Sequence, residues 1–137
     1  MTVDVNALKR VRDHLGVDLG QPFQPPDDPV LYRICRDPIL AVDVLYCVVK
    51  PQADERDMSS WDFGSALAGG TVRQAIDALM AGLVNFFQNL GRTDAAEGLP
   101  KLRELYSSLV AEAGSEVKAM DPEEMVKKLL EMSQGET

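Results

Sequence analysis

Histidine is almost missing from this chain: His14 is the only one in 137 residues. A His-Cys metal cluster cannot be assembled around it, and Cys35 and Cys47, twelve positions apart, argue against a zinc site. Two cysteines set up no disulfide framework, which makes a reducing cytosol the simpler setting. Nucleophilic catalysis lacks its parts as well. A Ser-His pair would have to recruit His14 from the first helix, Cys47 has no local signature linking it to His14, and no G-x-S-x-G elbow is present. Basic residues are outnumbered, 14 Lys and Arg against 22 Asp and Glu, for a net charge of −8. That balance disfavours nucleic acid, whose binding depends on basic side chains neutralising phosphates. No run approaches the roughly 18 apolar residues of a membrane span, and the N-terminal M-T-V-D-V-N-A-L-K-R lacks the apolar stretch of a signal peptide. The expectation is a non-enzymatic protein of the cytoplasm, with no metal, no cofactor, no nucleic acid and no membrane partner.

What is present is apolar and aliphatic: 45% hydrophobic residues with only 6% aromatics, the balance of a packed helical domain rich in Leu, Val and Ala. The length suits one domain. Val5, Leu8, Val11 and Leu15 fall near a 3.6-residue period and Gly16 follows as a stop, giving a short amphipathic helix or a strand leading into one. Between Gly16 and Pro29 stand Gly16, Gly20, Pro22, Pro25, Pro26 and Pro29, a density that favours an extended connector or arm. Asp28-Pro29 and Asp37-Pro38 each offer a capping carboxylate followed by Pro at the first helical position. The segment from Pro38 to about Lys50 is apolar on almost every side except at Asp43, and Pro51 ends it. It reads as the central helix of a bundle, although a buried strand has the same periodicity.

A polar break over residues 52–57 precedes Ser59 and Asp62, a capping-box arrangement with Met58 and Phe63 at the flanking staple positions. Gly69-Gly70 stops that helix and Thr71 caps the next. Val72, Ile76, Leu79, Met80, Leu83, Phe86, Phe87 and Leu90 then share a stripe roughly 120° wide. After Gly91 a helix from about Pro100 to Met120 carries Leu102, Leu105, Tyr106, Leu109, Val110, Ala113 and Val117 on its apolar side, and Asp121-Pro122 restarts a last one. The expected fold is all-α: a small bundle of five to six helices with a Pro-rich N-terminal arm. Its expected divisions are an N-terminal helix and arm over 1–28, a helical core over 29–92, and a C-terminal helical extension over 93–137 packed on that core.

Other candidate chemistry has plain alternatives. Gly69-Gly70-Thr71 before a helix could hold an anion, but the Lys of a P-loop is missing and a helix-helix turn explains the glycines. Asp27-Asp28 and Glu123-Glu124 sit at helix starts, where capping and dipole effects account for them. Phe86 and Phe87 straddle an apolar stripe and read as core. Trp61 differs. Two residues before Phe63, it points well away from the face that Phe63 and Leu67 define. It is the candidate partner-binding residue, or else a cover for the loop over 52–57.

The stretch D-P-I-L-A-V-D-V-L-Y-C-V-V-K-P-Q-A-D followed by S-S-W-D-F-G-S-A-L resembles the small tail assembly chaperones of tailed bacteriophages and prophages. The shared features are a helix ending in a Leu-Tyr stretch with a short basic-Pro loop, a Ser/Thr-capped helix containing Asp-Phe, and a long amphipathic helix. The likeness spans about Asp37 to Arg92. Trp61 departs from it, standing where that pattern more often has an acidic or small residue, and the Pro-rich segment has no counterpart in it. The resemblance implies a factor of the bacterial host cytoplasm that binds the tape measure protein, keeps its long apolar helices soluble and helps recruit tail tube protein. The alternative expectation is a structural subunit of a phage-like particle, at a connector or the head, using the Pro-rich arm to reach a neighbour.

Overall fold

The computed structural model describes residues 1–67 and 70–119, and beyond them 122–123, 126–127 and 130–131. Seven helices are defined among these residues: α1 (Val5–Leu15), α2 (Val30–Arg36), α3 (Pro38–Val48), α4 (Lys50–Glu55), α5 (Ser60–Ala66), α6 (Gly70–Asn89) and α7 (Thr93–Ala119). No strand occurs among the described residues. The fold is all-α, with more helices than the five to six expected.

α3 is the centre, packing against α1, α2, α5 and α6, while α7 lies along α6 and α2. Its inward face, Ala41, Val44, Leu45, Cys47 and Val48, is buried. Asp37 starts it as the sequence indicates, its carboxylate accepting from the backbone N–H of Ile39 and Leu40 at 3.1 and 3.2 Å. One apolar cluster runs from Val3 and Val11 through Leu45 and Phe87 to Leu99, so α1 and α7 share the core of α3.

Pro51 does more than end α3. In a continuous helix residue 51 would donate to the carbonyl of Cys47, and proline has no N–H to give. The chain breaks at Val49 and restarts as α4 with Pro51 in its first turn, so the supposed polar break over 52–57 is largely helical. The Cys47 carbonyl released in this way accepts from Arg10 Nε of α1 at 2.7 Å, and the Val48 carbonyl from Arg10 Nη2 at 3.1 Å. One guanidinium thus satisfies two carbonyls at the end of α3, where the helix dipole also favours a cation. Arg10→Met keeps the aliphatic stem and removes both hydrogen bonds. Chemical denaturation of this variant should show a loss of about 1–3 kcal/mol, and Arg10→Lys should recover only part of it because ammonium lacks the fork.

The segment 16–29 is not a projecting arm. It is a series of turns folded onto the helices, with Val17 and Leu19 2% and 0% exposed and Pro22 buried. Gly16, at φ 68°, turns the chain out of α1 in a left-handed conformation that suits glycine. The Pro22 carbonyl accepts from the N–H of Leu31 at 2.9 Å, tying the segment to α2. The Phe23 ring lies over α7 where Gly98 has no side chain; a Cβ there would stand 3.4 Å from Phe23 Cζ. Proline excludes regular hydrogen bonding but not burial.

Other expectations are corrected. Asp28 does not cap α2, whose N-cap is Pro29 without a side-chain bond; its carboxylate instead accepts from Arg36 Nη1 at 2.6 Å. That hydrogen bond holds the Asp28 carboxyl below its usual pKa. Val5 is exposed, and Ala7 and Val11 are the buried positions of α1. α7 begins at Thr93 and passes through Pro100, because Ala95, Ala96 and Leu99 of its early turns are buried in the core and packing outweighs the proline. Leu90, Leu105, Leu109 and Ala113 are exposed, so the apolar faces of α6 and α7 are narrower than their periodicity indicates. Gly69, Asp121 and Glu124 lie outside the described residues, as does the side chain of Val117.

Candidate functional site

A helix that is apolar all round leaves an apolar surface wherever the bundle fails to cover it. α3 does so at its N-terminal end. Ile39 is 74% exposed, and Val42, one turn on, is partly covered. Facing them is α5, started by a complete capping box: Ser59 Oγ accepts from the Asp62 N–H at 3.1 Å and the Asp62 carboxylate from the Ser59 N–H at 3.3 Å. This cap fixes the rotation of α5 and therefore the directions of its two aromatics. Phe63 turns inward onto Tyr46 of α3, their ring centroids 5.6 Å apart. Trp61 turns outward and is 82% exposed.

Together Pro38, Ile39, Val42, Trp61, Leu67 and Val72 form most of the wall of an open groove of about 570 Å³, completed by small residues of α5 and by Asp43. Among the described residues Asp43 is the only ionisable group lining it. Trp61 does not cover the residues of α4. Phe63 and Met58 line the hollow there, with Val49, Gln52, Ala53 and Arg56. The groove is apolar, open and acidic at one point, a surface suited to an apolar helix carrying a basic residue.

The structure also brings together residues that the sequence leaves apart. His14, Asp43 and Cys47 line one 280 Å³ pocket with Arg10, Tyr46 and Lys50. The residue types match a Cys-His-Asp set, but no hydrogen bond joins His14 to Cys47 among the described residues, and Cys47 is buried. Burial, and secondarily the negative charge of Asp43, push the Cys47 thiol above its ordinary pKa. Such a thiol stays protonated at neutral pH, the opposite of an activated nucleophile. Burial likewise raises Cys35. Among the described residues no cluster of His, Cys, Asp or Glu could hold a metal ion, and no helix is long and apolar enough to cross a membrane.

Phe87 is 1% exposed with Phe86 packed edge-on at 5.6 Å, so this pair belongs to the core. Ile39, the other large exposed residue of the groove, was not marked by its sequence. Its exposure depends on which side of α3 the other helices leave open, and periodicity cannot show that for a helix without a polar face. No known protein family, curated protein or solved structure matches the chain.

Proposed function

We propose that this protein is a non-enzymatic assembly chaperone of the phage tail type, which binds an apolar helical segment of a tape measure protein in the Trp61–Ile39 groove and helps recruit tail tube protein. The observation that carries the reading is the groove itself: two large apolar side chains more than 70% exposed, held on capped helices, with one carboxylate and no basic group in the lining among the described residues. The resemblance over about Asp37 to Arg92 supplies the identity of the client. Contiguous exposed apolar surface, with a tryptophan at its centre, is the kind that marks interaction sites. The alternative is a particle subunit, and the Pro-rich segment with which it would reach a neighbour is folded onto the core.

Co-expression with a tape-measure fragment is the test. The fragment should become soluble and co-purify, and a fragment equally insoluble with and without this protein would exclude the proposal. Trp61→Ala should weaken the complex about thirtyfold while leaving thermal unfolding unchanged, since Trp61 is outside the core.

A further inference from the structure

A second cleft lies across Pro38 and Val72 from the groove, sharing those two residues with it, between α2, α6 and α7. It encloses about 580 Å³. Its floor is apolar, with Val72, Ile76 and Val110, and its polar groups are Cys35, Ser107 and two guanidinium groups, Arg73 and Arg103. No carboxylate among the described residues lines it. Among the described residues its only charged lining groups are two arginines, in a chain of net charge −8, and both also line an adjoining hollow with Asp77 and Glu104.

The two arginines are held differently. Arg103, its side chain 16% exposed, is fixed: Nη2 donates to Asp77, outside the cleft's lining, at 2.8 Å, and Nη1 donates to Ser107. Its Nε is buried without a hydrogen-bond partner among the described residues. Arg73 lies on the same face of α6, four residues before Asp77, yet has no ion pair among the described residues. Asp77 therefore offsets one positive charge and leaves the other beside an apolar floor.

We infer that this cleft is a binding site for an organic carboxylate with an apolar body, its carboxylate on Arg73 with Arg103 adding positive potential and its hydrocarbon on Val72, Ile76 and Val110. Guanidinium pairs with carboxylate through two parallel N–H···O bonds, which a neutral isostere cannot reproduce. An inorganic anion would use the charge and leave the apolar floor wet. The inference is independent of the proposed chaperone function, since none of its charged residues lines the Trp61 groove.

The probes are octanoate, octanol and inorganic phosphate, titrated into the full-length protein and followed by amide chemical shifts and calorimetry. Octanoate should bind saturably, with shifts centred on α6 and α7, and should bind at least tenfold more tightly than either octanol or phosphate. Arg73→Gln, at an exposed position that the fold does not need, should weaken octanoate about tenfold and leave octanol unchanged. Octanol binding as well as octanoate would reduce the cleft to an apolar hollow, phosphate binding as well would reduce it to a charge patch, and an Arg73→Gln variant of unchanged octanoate affinity would remove Arg73 from the site. Each of those results overturns the inference.

Discussion

Phe87→Ala should destabilise the fold by about 3–5 kcal/mol, whereas Leu90→Ala, just past the end of α6, should change stability by less than about 0.5 kcal/mol. Both residues fall within the apolar stripe that the sequence defines from Val72 to Leu90. Phe87 is 1% exposed, touches the ring of Phe86 and carries the Arg92 guanidinium 5.6 Å from its centroid. Truncating it opens a cavity in close-packed surroundings that relax only partly. Leu90 is 57% exposed just past the end of α6, where Gly91 at φ 77° turns the chain toward α7. Its side chain has little burial to lose. Urea denaturation of both variants at constant m-value checks the contrast, and equal losses would mean that the end of α6 is packed differently.

The same pair indicates what a sequence of this kind conveys. Signals that act within a few residues are legible: the Asp37 cap, the Ser59–Asp62 capping box, and the opposite directions of Trp61 and Phe63 all follow from local chain geometry. The central place of α3 is legible too, because a helix without a polar face has to be surrounded. What the sequence withholds depends on distant partners. Pro51 reads as an end, yet the chain continues as α4, and Arg10, 37 residues before Cys47, takes up the carbonyl that the proline leaves unpaired. Asp28 reads as a cap until Arg36 competes for it at 2.6 Å. For the candidate site, Trp61 was visible and Ile39 was not, and the Arg73–Arg103 cleft exists only once α6 lies beside α7.

The largest difference between sequence and structure, the segment 16–29, yields the second strong expectation. Leu19→Ala should cost about 2–4 kcal/mol, as much as a truncation in the middle of a helix, although Leu19 lies in a stretch whose composition reads as linker. Leu19 is 0% exposed, and Val17 two residues earlier is 2% exposed, so the intervening Asp18 faces outward and its carboxylate accepts from the Gly20 N–H at 2.9 Å. This local bond fixes the turn that aims both aliphatic side chains inward. Gln24→Ala, at an exposed position of the same segment, should alter stability by less than about 0.5 kcal/mol. Limited proteolysis supplies an independent readout, since a projecting arm would be cut within 16–29 well before the helices, and a packed segment only after global unfolding. Early cleavage there, or a Leu19→Ala variant as stable as the parent, would return the segment to the role of an arm and with it reopen the reading of a particle subunit that reaches its neighbour. A Leu19→Ala protein that loses stability but still solubilises the proposed client would separate the scaffold from the groove, because Leu19 lies between α1 and α2 while Ile39 and Trp61, on α3 and α5, line the proposed binding groove.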